Sequence, residues 1–209
     1  MSLLALGPQP AVTIKEGVFL LPGRAPESLL EIVEPLLMAV PPRKMVTAWG
    51  KPMSVAITNW GALGWVSGRG GYAYAAMDPV RGTAWPPIPT EVADLARSVA
   101  AEVGFAGFVP DACLVNLYGP EARMGLHQDR DERDFDQPIV SISLGRAARF
   151  RFGTDRRGGP TRSILLEDRD VLVFGGAARL MFHGVERLAG PAHSRLGEGR
   201  INLTLRRAG

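Results

Sequence analysis

Past residue 110 the chain alternates apolar and polar positions in short bursts. Val140, Ile142 and Leu144 alternate with Ser141 and Ser143, and Phe150 and Phe152 alternate with Arg149 and Arg151. Residues 163–166, 170–174, 180–183 and 200–206 repeat the habit, and Gly145, Gly153, Gly158-Gly159 and Gly175-Gly176 separate the bursts. A period of two is that of strands with one face buried, and glycine supplies the turns between them. Many short strands predict a sandwich or barrel such as a jelly roll.

The first half reads differently. Residues 17–22 predict a short strand. Residues 25–37 predict a helix with Pro26 near its start and Leu29, Leu30, Ile32 and Val33 as its apolar positions; Pro35 leaves its far end unspecified. Residues 90–103 carry the clearest helical spacing, with Val92, Leu95, Ala96, Val99, Ala100 and Val103 on one side. Thr90 is the expected cap and Gly104 the stop. Residues 41–88 hold Trp49, Trp60, Trp65, Tyr72, Tyr74 and Trp85, too many aromatics for a disordered linker. Hairpins forming a cover are expected there. The fold class is therefore mainly β (α+β): an N-terminal α/β cover over residues 1–110 and a β core over 111–209, in one integrated domain.

Composition bounds the function classes. The 209 residues, 46% hydrophobic and 22% charged, suit one soluble globular unit, and Gly 25 and Pro 17 favour turn-rich β structure. Net charge is +3 and the pI about 9.4. Lys15, Lys44 and Lys51 are the only lysines, so arginine carries the basic character. Guanidinium forks match phosphate oxygens, although GC-rich coding explains arginine equally well. Cys113, alone in an apolar run, excludes an internal disulfide and suits a reducing compartment. The stretch 1–8 lacks a basic leader region, and no apolar run approaches the ~20 residues of a membrane span. A soluble cytoplasmic monomer is expected.

The chemistry gathers around three residues. His127 and Asp129 form a His-x-Asp pair after an apolar run, and His183 closes the run 180–182. Alternate strand residues share a face, so the pair can reach one metal together. Two imidazoles and a carboxylate suit a non-haem iron(II) centre with open positions, and the same set also binds zinc. His193 sits in a Pro/Gly/Ser-rich loop and reads as exposed. On 200–206 the residues Arg200, Asn202, Thr204 and Arg206 point to one face. That face either meets solvent at a sheet edge or holds an acidic ligand such as a dicarboxylate.

Asn116-Leu117-Tyr118, His127-Gln128-Asp129, the run 138–145, His183-Gly184 and Arg200-x-Asn202-Leu203-Thr204-x-Arg206 together resemble the AlkB family of nucleic-acid dealkylases. The resemblance runs from about Met53 to the C-terminus and is closest to the bacterial DNA-repair type. It implies an iron(II)/2-oxoglutarate dioxygenase on a double-stranded β-helix, with a nucleotide-recognition lid in the N-terminal part. His127, Asp129 and His183 match the iron ligands. Asn116, Tyr118, Arg200, Asn202 and Arg206 match the 2-oxoglutarate contacts, with Arg200 and Tyr118 at the distal carboxylate and Arg206 nearer the metal.

Trp65 and Tyr72 match lid positions, with Tyr74 beside them. Asp131 follows the iron motif closely, in a charged run 130–134 that reads either as a solvated loop or as the source of a carboxylate favouring cationic bases; Arg157 matches a residue near the substrate or contacts phosphate. Ile57 stands where the best-known bacterial member has methionine, and small residues at Ala147-Ala148 are a second departure. The implied reaction consumes O₂ and 2-oxoglutarate and removes methyl groups from N1-methyladenine and N3-methylcytosine in single- or double-stranded DNA as formaldehyde. Rival readings are an RNA or tRNA demethylase, a protein hydroxylase, a zinc-binding jelly roll, and a nucleic-acid-binding module without catalysis.

Overall fold

The computed structural model describes residues 9–209. The stretch 1–8, read above for a leader, lies outside the described residues. In chain order the elements are β1 (Val12–Lys15), β2 (Val18–Leu21), α1 (Leu29–Ala39), β3 (Arg43–Val46), β4 (Pro52–Gly61), β5 (Gly64–Gly68), β6 (Gly71–Ala75), α2 (Thr90–Glu102), β7 (Ala112–Tyr118), β8 (Met124–His127), β9 (Ile139–Gly145), β10 (Ala147–Phe152), β11 (Arg162–Leu166), β12 (Val171–Phe174), a 3₁₀ turn (Gly176–Ala178), β13 (His183–Ala189) and β14 (Arg200–Arg206).

Two antiparallel sheets face each other. The larger runs β1-β2-β12-β9-β14-β7-β4-β3 and the smaller β11-β10-β13-β8, while β5 and β6 form a separate hairpin. This is the jelly-roll architecture expected from the strand periodicity. The helices cover the outer face of the larger sheet. Leu29, Leu30 and Val33 of α1 and Val92, Ala96, Val99 and Ala100 of α2 pack on Val115, Ile142, Ile201, Leu203 and Leu205. Between the sheets, Phe150, Phe152 and Leu166 meet Ile139, Leu172 and Phe174. Cys113 is fully buried in the helix-side core.

Strand β14 lies between β7 and β9. It is an interior strand, and all seven of its residues are buried. The solvated-edge reading of its polar face is thereby excluded. Ile201, Leu203 and Leu205 face the helices, and the alternate residues face the interior between the sheets.

Several local expectations are corrected. Helix α1 starts at Leu29, because residues 25–28 form a turn closed by Leu29 N–H to Pro26 O at 3.1 Å, and it runs through Pro35 to Ala39. One missing N–H is tolerated in a helix whose buried side is already anchored. Thr90 is the first helical residue, not the cap; Pro89 precedes it and no side chain caps the end. Gly104, at φ 97°, does follow the helix. His183 begins β13 instead of ending a strand over 180–183, because the 3₁₀ turn occupies the approach. His193 is only partly exposed: its Nδ1 accepts from the N–H groups of Arg195 and Leu196 at 3.2 Å each.

The aromatic segment resolves into two hairpins. Strands β3 and β4 extend the larger sheet beyond β7. The β5–β6 hairpin is tied to that extension. The Asn59 side chain donates to Trp65 O at 2.9 Å and accepts from Trp65 N–H at 3.0 Å, and Ser67 Oγ donates to Val46 O at 2.5 Å. Gly64 allows this closeness, since a Cβ there would fall 2.4 Å from the Trp85 ring. At the other flank, the β1–β2 turn seats Gly17 on the turn after β12. Gly175 N–H donates to Gly17 O at 3.0 Å, and a Cβ on Gly17 would fall 2.4 Å from Gly175 O.

Candidate metal centre and its cavity

His127 is the last residue of β8 and His183 the first of β13, and the two are direct cross-strand partners. Asp129 follows two residues after β8. The result is a cluster whose ligand atoms all lie within 4.8 Å of one another. The ring centroids of the two histidines are 4.4 Å apart. Asp129 Oδ1 is 3.6 Å from His127 Nε2, and Oδ2 is 3.5 Å from His183 Nε2.

The other nitrogen of each ring is committed elsewhere. His127 Nδ1 lies 2.9 Å from Gly125 O and His183 Nδ1 lies 3.1 Å from Met181 O. A carbonyl accepts only, so Nδ1 carries a proton in each ring, which leaves Nε2 as the nitrogen able to bind a metal beside Asp129. Burial, and then the neighbouring His183, push the His127 pKa down to about 4, although its side chain is 35% exposed. The imidazole is neutral at physiological pH. Burial alone would raise the Asp129 carboxyl. The Arg206 guanidinium, followed by His183 and His127, outweighs it and holds the group well below the usual range. Two imidazole Nε2 atoms and one carboxylate therefore converge, which is the donor set a ferrous ion needs.

Behind Asp129 lies a buried ionic network that the sequence reading missed. Arg206 Nη2 is 2.9 Å from Asp129 Oδ2, its Nε is 3.4 Å from Glu132 Oε1, and its Nη1 donates to Tyr74 Oη at 2.9 Å. Tyr74 Oη in turn donates to Glu132 Oε1 at 2.7 Å. Arg179 donates from Nη1 to Asp129 O at 2.8 Å and from Nε to Gln137 O at 3.0 Å, and its Nη2 meets Glu132 Oε2 at 3.2 Å. Glu132 and Arg179 are both buried. Glu132 was hidden in the charged run 130–134, which reads as a solvated loop. Arg179 carried a usable signal: a lone charge inside the otherwise apolar stretch 177–182.

The inner face of β14 lines a cavity of about 650 Å³. Arg200 sits at its far end, 1% exposed. Its Nη1 donates to Arg146 O at 3.0 Å, its Nη2 donates to Ser143 Oγ at 2.7 Å, and its buried Nε has no partner. No carboxylate forms an ion pair with it among the described residues. Burial pulls its pKa down to about 10. Asp170 and Asp168 act on it only from beyond ion-pair distance, so a buried guanidinium whose hydrogen-bond partners are all neutral oxygens is a site for an anion. Tyr118 Oη has only Met124 Sδ, at 4.0 Å, and Asn116 Oδ1 is buried without a partner. Burial raises the Tyr118 phenol, so it stays a donor. Asn202 is fixed by Ser141 Oγ at 2.8 Å and Thr204 Oγ1 at 2.8 Å. The Arg200 Nε–H and the Tyr118 hydroxyl are donors left for the carboxylate of an acidic co-substrate.

At the mouth, Trp65 and Tyr72 stack with centroids 5.4 Å apart and planes 16° from parallel. Trp65 pairs across the hairpin with Tyr74, so all three aromatics share one hairpin face. Trp65 Nε1 donates to Asp131 Oδ2 at 2.9 Å. Arg157 Cζ lies 5.1 Å over the Phe182 ring. All but one of the sequence-predicted site residues line this cavity together. The exception is Tyr74, which lies behind it in the Arg206 network. Ile57 is in the cavity wall, while Ala147 and Ala148 are outside it. Among the described residues, no helix is long and apolar enough to cross a membrane.

Comparison with known proteins agrees with this geometry. Residues 12–206 match the family model of the 2OG-Fe(II) oxygenase superfamily. The chain is 49% identical to the alpha-ketoglutarate-dependent dioxygenase AlkB of Salmonella typhimurium, over 88% of this chain and 86% of that protein. It is 47% identical to the AlkB homolog of Caulobacter vibrioides, over 94% and 90% respectively. Among solved structures it resembles OsALKBH1, with a TM-score of 0.81 and 26% identity over 95% of this chain and 100% of that one.

Proposed function

The chain belongs to the AlkB family within the 2OG-Fe(II) oxygenase superfamily, and from that premise we propose that this dioxygenase removes alkyl groups from nucleic-acid bases. Its preferred lesions in this reading are N1-methyladenine and N3-methylcytosine in DNA, and it works as a soluble cytoplasmic monomer. The observation that carries the proposal is the pair of Nε2 atoms facing the Asp129 carboxylate, with each Nδ1 tied back to a carbonyl.

His127, Asp129 and His183 would hold iron(II). Bound iron, with 2-oxoglutarate and O₂, supplies the oxidising power that yields succinate, CO₂ and formaldehyde from an N-methyl group. The chain's own residues position and shield. Arg200 and Tyr118 take the distal carboxylate of 2-oxoglutarate, where the guanidinium has no direct ion pair among the described residues. Asn116, Asn202 and Arg206 line the path toward the metal end. The Nδ1 contacts fix the imidazole tautomers, and the Arg206 pair keeps Asp129 ionised.

Residues 64–75 act as the nucleotide-recognition lid. Trp65 and Tyr72 stack on the target base, and Arg157 sits beside it at the rim. The base must leave its stack to reach the metal, at a cost of a few kcal/mol that is smallest when the lesion already blocks pairing. Asp131, at the cavity wall, favours the cationic methylated bases through its charge. A zinc hydrolase would need no anion site at Arg200, which counts against that alternative.

The test is direct. Anaerobic iron(II) with 2-oxoglutarate should give a weak visible charge-transfer band, and a methylated oligonucleotide with air should then release formaldehyde. No band would remove the co-substrate assignment, and a band without formaldehyde from DNA or RNA would remove the substrate class.

A further inference from the structure

Trp49 is 86% exposed, the most exposed large aromatic among the described residues. It stands at the apex of the β3–β4 connection, away from the cavity wall formed by Trp65 and Tyr72. A single exposed indole is ordinary on a protein surface; a fixed support and cationic neighbours distinguish this one. The turn beneath it is closed by Thr47 N–H to Lys51 O at 2.8 Å, Gly50 N–H to Thr47 O at 2.8 Å and Lys51 N–H to Thr47 Oγ1 at 3.2 Å. Gly50, at φ 77°, makes the reversal. The ring is thus carried on a fixed support.

Its neighbours are cationic. Lys51 follows in the turn, and Lys44 lies on β3, so two of the three lysines of the chain sit on this hairpin. Arg69, from the β5–β6 tip, comes alongside: a Cβ on Gly50 would be 3.7 Å from its Nε and Nη2. No salt bridge occupies any of these three cations among the described residues. Met53, which lines the cavity, is four residues from Trp49. Even fully extended, that stretch spans no more than ~13 Å at ~3.3 Å per residue, and the turn shortens it.

We propose that Trp49 is a stacking platform for a nucleobase one or two nucleotides from the base entering the cavity, with Lys51 and Arg69 holding the intervening phosphates. The proposal rests on the nucleic-acid reading above and adds a second contact outside the lid. Aromatic stacking tolerates any base because every base presents a π-face, and adjacent cations supply the salt-dependent part of the affinity. The platform therefore grips the strand without reading its sequence.

The test measures binding of a short fluorescent single-stranded oligonucleotide with one N1-methyladenine. It is done anaerobically with iron(II) and 2-oxoglutarate present. Trp49→Ala should weaken binding about tenfold, roughly 1.4 kcal/mol, while Trp49→Phe retains most of the affinity. The salt dependence should be unchanged in both, because no charge is lost, and the melting temperature should not move. Placing abasic sites beside the lesion should abolish the difference between wild type and Trp49→Ala. If wild type binds and Trp49→Ala binds equally, or if the difference survives abasic neighbours, the platform is refuted and the dealkylase reading stands. If wild type binds no nucleic acid, both fall.

Discussion

Arg206 Nη2 lies 2.9 Å from Asp129 Oδ2, joining the last interior strand to the carboxylate at the centre of the site. The same guanidinium meets Glu132 and Tyr74. One buried guanidinium thus offsets two buried carboxylates and donates to a buried phenol. Removing one partner of such a set leaves the others uncompensated and costs about 3 to 5 kcal/mol. Arg206→Ala should lower folding stability by that order and weaken 2-oxoglutarate binding. Urea denaturation of the metal-free protein reads the first effect. An unshifted midpoint would mean the network carries no stability.

Asp129→Ala should leave a folded protein, because Arg206 keeps Glu132 and Tyr74 as partners. It should show no visible band with iron(II) and 2-oxoglutarate and no turnover. A normal band from this variant would overturn the ligand assignment.

Asp131→Asn separates charge from position. An asparagine oxygen can still accept from Trp65 Nε1, which Asp131 Oδ2 meets at 2.9 Å. The variant should therefore lose activity on cationic N1-methyladenine while keeping most of its activity on neutral etheno adducts. The ratio of kcat/KM values for the two lesions is the measurement, and an equal loss on both would dispose of the electrostatic account. Asp131→Ala confounds the two effects by also freeing the indole.

Gly184→Ala should prise β8 from β13. The added Cβ would lie 2.6 Å from Met124 O and 2.9 Å from Gly125 O, both backbone atoms that cannot step aside cheaply. Overpacking of this kind costs about 1 to 3 kcal/mol. Because His127 and His183 are partners across this strand pair, metal affinity should fall along with the melting temperature. A drop in stability with unchanged iron affinity would show that the two histidines are positioned independently of the ladder.

The sequence disclosed the strand periodicity, the two amphipathic helices and the His-Asp-His set, because each is a local pattern. It disclosed the alternating face of β14 but not whether that face meets water. Only the pairing with β7 and β9 decides that Arg200 and Arg206 are interior. Arg179 and Glu132 escaped for a similar reason, since their partnership spans 47 positions and crosses between two loops. Tyr74 was named for the lid, yet its hydroxyl meets Arg206 and Glu132, partners 132 and 58 positions away that no local pattern reveals. Thr90 was expected as a cap on residue type alone, whereas the backbone begins the helix one residue earlier than its hydroxyl could serve.

The seat of Gly17 against Gly175 has a consequence for shortened forms of the chain. The turn that receives it leads directly into Arg179, whose side chain holds the Asp129 carbonyl. Strands β1 and β2 contribute no reactive group, yet they are the foundation under that turn. Trimming the chain to start beyond residue 22 would retain every donor atom and still let the centre sag. Damage at this remote margin would then surface as weakened iron binding together with lost stability, since Val18 and Leu21 leave the two cores.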